Sequence, residues 1–170
     1  MAESAGPDTR VEPPWTGDEV GTVAGFLDFL RATVVRKASG LSEEQARRAV
    51  LPSPPMTVAG LLSHLRWVEA YWFAHVLGGE PDTAPRSATD PDAEFRVAAG
   101  TTLADLVGGY EAACARSREV VAAMAPGDTV EFRGERLSVR WVLVHMVEET
   151  GRHAGHLDVI RELLDGATGE

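Results

Sequence analysis

The stretch Leu137–Leu164 constrains this chain more than any other. It reads as one long helix whose inward face carries polar groups that a plain core would not take. An α-helix turns about 100° per residue, so positions four, seven, eight and eleven apart return to nearly one side. With His145 set at zero, His156 falls at about 20°, Glu149 at about 40° and His153 at about 80°. Val142 and Ile160 share that arc, and Leu163 closes it. A carboxylate and three imidazoles therefore interrupt an otherwise apolar stripe. Burying such groups without partners is costly. A metal ion is one partner able to satisfy several of them at once.

The remaining segments supply the packing partners. A first helix opens near Thr16–Glu19, with Thr16 as cap and Glu19 three residues on. Val20, Val23, Leu27, Leu30 and Val34 form its stripe, and it ends near Gly40. Leu41–Ala46 is a separate short capped turn, and Leu51–Pro55 is too proline-rich to stay helical. A second helix runs from Thr57 to Leu77, stopped by Gly78 and Gly79. Its apolar side is Val58, Leu61, Leu62, Leu65, Val68, Trp72 and Val76, with His64 at the edge. Residues 80–101 form an acidic crossover without clear periodicity, anchored by Phe95. A third helix spans 102–124, and Pro126-Gly127 ends it. Around Arg133-Gly134 the chain either pairs as a very short hairpin or simply extends, and Ser138 caps the last helix.

Four helices of about 20 residues with one long crossover between the second and third predict an all-α fold, a four-helix bundle. A single domain is expected over residues 1–170. Met1–Trp15, with Pro7, Pro13 and Pro14, is expected to be a mobile or loosely docked arm. In such bundles, metal and cofactor sites are built inside the core from facing helices.

Charge narrows the partners. The net charge is -10, which argues against nucleic acid and against an anionic membrane surface. No apolar run approaches the roughly 18–20 residues that span a bilayer, and the N-terminal segment has no apolar core of a signal peptide. Cys114 is the only cysteine, so no internal disulfide forms. A reducing cytoplasm is the expected setting. Cys114 reads as a small buried filler, His75 as a helix-end residue, and Trp67, Trp72 and Trp141 as core or interface aromatics.

His64 on the second helix, with Glu149 and His153 on the last, can converge on one ion. Glu149 and His153 are four apart and reach one point from adjacent turns. Two imidazoles and one carboxylate suit Zn²⁺, with Fe²⁺, Ni²⁺ or Mn²⁺ as alternatives. Three protein donors leave a position open, the pattern of catalytic zinc. His145 and His156 compete for the same ion or hydrogen-bond around it. The bland alternative is a Glu–His pair on a solvated helix face and a hydrogen-bonded core histidine. No His-Glu-x-x-His motif is present.

Two blocks carry a resemblance. Leu61-Leu-Ser-His64-Leu-Arg-Trp-Val-Glu69 with Trp72-Phe73 is the first. The second is Trp141-Val-Leu-Val-His145-Met-Val-Glu-Glu149 with Arg152-His153-Ala-Gly-His156-Leu-Asp158 and Arg161-Glu162. Together they resemble the DinB/YfiT-like metalloprotein superfamily, in particular the actinobacterial branch related to mycothiol-dependent maleylpyruvate isomerase. The fifteen arginines against one lysine suggest a GC-rich coding sequence, which suits that branch. The superfamily pattern is one histidine on the second helix and a His-x-x-x-His pair on the last. Here Glu149 takes the first place of that pair, as in the mycothiol-dependent isomerase. The resemblance thus implies His64, Glu149 and His153 as ligands, with His156 where many relatives carry glutamine.

It also implies a thiol. The chain has no Gly-x-Ser-x-Gly elbow, P-loop or dinucleotide fingerprint, so an attacking sulfur must arrive as a cosubstrate. The leading expectation is a metal-dependent S-transferase that activates mycothiol towards a small electrophile. His145 or His156 would move protons, and Arg152 would meet an anionic group or merely pair with Glu148 or Glu149. The rivals are a thiol-dependent isomerase, a metal-dependent hydrolase, and a non-catalytic metal-binding bundle. In the last of these, His145 or His156 would close the site as fourth ligand. The apolar helix faces leave room for a homodimer.

Overall fold

The computed structural model describes Asp8 and residues 10–169. Among them the long elements are helical. They are α1 (Glu19–Ala38), α2 (Glu43–Arg47), α3 (Val58–Glu69), α4 (Leu103–Ala122) and α5 (Val139–Asp165). A small antiparallel sheet joins β1 (Thr129–Phe132) to β2 (Glu135–Ser138). Arg133 and Gly134, both at positive φ, make the tight turn of this hairpin. No helix among the described residues is long and apolar enough to cross a membrane.

The helix starts obey local chemistry. Ser42, Thr57, Thr102 and Ser138 each cap with a side-chain oxygen, which satisfies an otherwise orphaned backbone N–H. The α1 cap is Asp18 rather than Thr16. Its carboxylate accepts from the Gly21 N–H at 2.7 Å, so the helix begins two residues later than the Thr16 cap implied. α5 ends at Gly166, whose φ of 75° is the left-handed conformation glycine adopts without strain. Before α1, Pro13 and Pro14 lie against Gly25, where an added Cβ would meet Pro14 at 2.8 Å. Arg10 reaches Thr33 and covers the Phe29 ring. The described part of the N-terminal arm is therefore docked on α1. Residues 1–7 and 9 lie outside the described residues.

The helix predicted over Thr57–Leu77 changes form midway. After Glu69 the chain continues as a π-helix, Ala70–Leu77. The wider turn shifts the register by one residue. The apolar stripe expected at Val68, Trp72 and Val76 instead buries Val68, Phe73 and Leu77. Trp72 is left half-buried and packs near Trp141 and Phe132, with ring centroids 5.4 and 5.5 Å away.

α1 packs along α5 and α3 along α4, with α3 also meeting α5. The interior divides into two apolar clusters. One holds Val34, Leu61, Leu65, Tyr110, Leu157 and Ile160. The other holds Leu27, Val68, Phe73, Val120, Val142 and Met146. Between them lie buried polar groups. Arg31 donates to both oxygens of Glu69 at 2.8 and 2.6 Å, and Ser117 donates to Glu69 at 2.6 Å. Glu69 is fully buried.

Candidate metal centre

His64, Glu149 and His153 come together where α3 faces α5. One donor atom from each lies within 4.8 Å of the others, a grouping that could hold a metal ion. The Oε1 atom of Glu149 is 3.4 Å from His64 Nε2 and 3.2 Å from His153 Nε2. Donors about 2.0–2.1 Å from a tetrahedral ion stand roughly 3.3 Å apart, so these separations fit one. Proton counting is consistent with an ion as well. His64 turns Nε2 to Glu149 and Nδ1 to Glu94, at 3.0 Å. A neutral imidazole has one N–H and cannot donate to both. A cation beside Nε2 removes that conflict and lets the ring stay neutral.

The electrostatics match this arrangement. Burial opposes ionisation of Glu149, but hydrogen bonds from His153 and His64 and the Arg152 charge outweigh it. Its carboxyl is held well below the usual range. Burial likewise opposes charge on His64, and hydrogen bonds to Glu149 and Glu94 outweigh it and raise its pKa. A second proton on His64 would lie between Nε2 and Glu149, where a divalent ion would also be held.

The other expected residues divide. His156 is close: its Nδ1 lies 3.3 Å from His153 Nδ1, on the side away from Glu149. Burial lowers the pKa of His156, and the neighbouring His153 and Arg152 lower it further. A neutral His156 can accept the His153 Nδ1–H and leave Nε2 free as donor. Arg152 bonds to the second oxygen of Glu149, leaving only Oε1 turned towards the histidines. Its Nε is 3.9 Å from Glu148, so the carboxylate pairing expected of a surface arginine is what forms. His145 does not join the cluster. Its ring stacks on Trp141 at 5.0 Å and meets Trp72 edge-on at 4.8 Å.

His75 caps the end of the π-helix by contact with the Glu80 carbonyl at 2.6 Å. Cys114 is buried, and burial pushes its thiol up to about 12, which keeps it protonated and unreactive. A cleft of about 460 Å³ between the end of α1 and the start of α4 shares no residue with the cluster.

Sequence reasoning missed Glu94 and Arg86. Both sit in the crossover, where no period marks an inward face. Phe95 was expected to anchor that segment, and it does so on the site itself: its ring stacks on His64 at 4.2 Å, within 8° of parallel. Pro91, at the start of a short 3₁₀ turn Pro91–Phe95, was the available signal that this part of the crossover is ordered.

A family model described as mycothiol-S-transferase matches residues 22–166, a span holding every helix except the first three residues of α1. A comparison with curated proteins finds no match. With most of its length covered by that model, the chain belongs to the mycothiol-S-transferase family.

Proposed function

We propose that this protein is a divalent-metal-dependent S-transferase that joins the sulfur of mycothiol to a small electrophile. The reading includes a single four-helix bundle of DinB type, with zinc the best match to two imidazoles and a carboxylate. Nickel, iron and manganese remain chemically compatible. The observation that carries it is a three-donor set, His64, Glu149 and His153, with no fourth protein donor beside it among the described residues. His156 faces the far nitrogen of His153, and His145 is engaged with Trp141 and Trp72. Neither closes the set, as a structural site would require.

A divalent ion held there supplies Lewis acidity, which lowers the pKa of a thiol so that the nucleophilic thiolate is present at neutral pH. The chain's own residues hold and orient. Glu149 offers Oε1 while Arg152 occupies its other oxygen, which keeps the carboxylate from rotating. Arg152 is half-exposed and placed to meet an anionic group on an incoming molecule as well. His156 lies at the edge of the cluster, and its Nε2–H is free to donate to an incoming group. His145 stands one helical turn before Glu149, within an aromatic wall formed by Trp72 and Trp141. Because Cys114 is buried and protonated, no protein sulfur competes as nucleophile. A lone buried thiol and a small-thiol cosubstrate both suit a reducing cytoplasm.

The test is metal content of untagged protein, wild type beside His153→Ala, followed by titration of the metal-loaded protein with mycothiol. A near-stoichiometric divalent metal that the variant lacks, with saturable thiol binding, supports transfer and justifies screening electrophiles. Metal without thiol binding overturns the transferase reading. Absence of metal in both, after reconstitution, removes the centre altogether.

A further inference from the structure

We propose that Glu94, itself held by Arg86, is a positioning residue of the metal centre, so that the crossover is a working part of the site. The inference rests on the metal reading of His64, Glu149 and His153. Glu94 is 5% exposed although it belongs to the segment linking the π-helix to α4. A carboxylate is rarely buried so deeply without partners, and this one has three attachments. Its Oε2 lies 3.0 Å from His64 Nδ1, and its Oε1 accepts from Arg86. Its backbone carbonyl accepts the Ser63 hydroxyl at 2.7 Å, one residue before the histidine it serves. The next residue, Phe95, lies flat on the His64 ring.

These contacts set two properties of one imidazole. The Phe95 stack fixes the ring plane. The Glu94 carboxylate accepts the Nδ1–H and so fixes the tautomer, which leaves the Nε2 lone pair aimed at Glu149 and His153. An anionic acceptor also makes the ring a stronger donor to a cation. Arg86 holds Glu94 in place, and is itself seated over the Tyr71 ring at 4.3 Å and paired with Asp82 at 2.9 Å. His153 has no such carboxylate: its Nδ1 faces a second imidazole, that of His156. The two histidines are therefore supported unequally, and the charged support comes from the crossover.

Glu94→Gln retains shape and an accepting oxygen but removes the charge. Metal-free wild type and variant are titrated with zinc against a chromophoric chelator, and helicity is checked in both. Zinc affinity is expected to fall by about 10–100-fold, the usual loss when an outer-shell partner of a ligand is changed. Arg86→Gln should give a smaller loss in the same direction. An affinity in Glu94→Gln within about twofold of wild type, with wild type binding tightly, overturns this inference and leaves the metal reading intact. Wild type that binds no zinc overturns both. A nitrogen-15 imidazole spectrum of zinc-loaded wild type, which needs no variant to fold, should show His64 protonated at Nδ1 and metallated at Nε2. The reverse assignment overturns the role of Glu94.

Discussion

Removing His153 should abolish a metal-linked gain in thermal stability, and the size of that gain can be worked out beforehand. The donors come from two helices, and His64 and Glu149 are 85 residues apart in the chain. The unfolded chain rarely brings them together, so an ion held by them would bind the folded state almost exclusively. The stabilisation is then RT ln(1 + [L]/Kd), about 2.7 kcal/mol with metal at a hundredfold excess over Kd. For a chain of this size each kcal/mol moves Tm by roughly 2–4 °C, so zinc should raise Tm by about 5–11 °C. In His153→Ala the remaining donors are His64 and Glu149, and the shift should shrink to below about 2 °C. Deleting a buried ring also destabilises the metal-free protein, so each variant is compared with and without zinc. His145→Ala is the control, because its ring packs on Trp141 and Trp72 and should leave the zinc shift whole. Scanning calorimetry of both variants with zinc and with chelator decides the matter. A full shift in His153→Ala, or a lost one in His145→Ala, refutes the assignment.

Three further outcomes follow from the same geometry. Glu69→Ala strands the buried Arg31, and breaking a buried pair costs about 3–5 kcal/mol. Arg31 keeps Asp28 at 2.8 Å, so the low end, about 3 kcal/mol, is expected in urea unfolding. Arg31→Met with Glu69→Leu should recover most of that loss, since both desolvation penalties vanish together. On pH, the raised folded pKa of His64 stabilises the metal-free protein fully below the unfolded value near 6.5. That contribution is lost as pH rises through the folded value. Metal binding needs the unprotonated ring, so the zinc shift should shrink on acidification from about pH 8 to pH 6; a shift that grew would contradict proton–metal competition. Cys114→Ala should leave thiol transfer within about twofold of wild type, because a thiol pushed up to about 12 is not the nucleophile. A large loss in a folded Cys114→Ala would place the reaction on the protein's own sulfur.

Much of the helical pattern was legible because apolar spacing alone encodes it. The stripe on the second helix reads correctly through Val68 and then fails at Trp72 and Val76. An α-period cannot anticipate a π-turn, since the residues look equally helical in either form. Glu149 and His153 could be paired from sequence because four-residue spacing is local. His64 could be placed on the edge of its helix, but its meeting with them depends on how α3 docks against α5. Glu94 was invisible for the opposite reason. It lies 30 residues from His64 in a segment without period, and only the folded crossover brings them together. Arg31 and Glu69 were overlooked because single charges beside an apolar stripe usually face water. Here each is the other's solvent.

The position of those overlooked charges bears on the site. Along each long element the buried residues switch from one apolar cluster to the other, and a polar group stands near the switch. On α1, Arg31 separates Leu27 from Val34; on α4, Ser117 separates Val120 from Cys114. Glu69 falls between Leu65 and Phe73, at the junction of α3 with the π-helix. On α5, Glu149, Thr150 and His153 fall between Met146 and Ala154. A polar layer therefore runs through the middle of the interior, satisfied on one side by the Arg31–Glu69–Ser117 contacts and open on the other to the candidate ion. Packed apolar clusters above and below resist rotation of the side chains between them. This is the condition a metal centre needs, since donors must be held close to their final geometry before the ion arrives. The Arg31–Glu69 pair contributes little net stability compared with an apolar replacement. Its value is better sought in the registry it imposes on α1, α3 and α4, on which the seating of His64 opposite Glu149 depends. The apolar double variant of Arg31 and Glu69 tests that directly: if registry is its role, the protein stays stable while its zinc affinity falls.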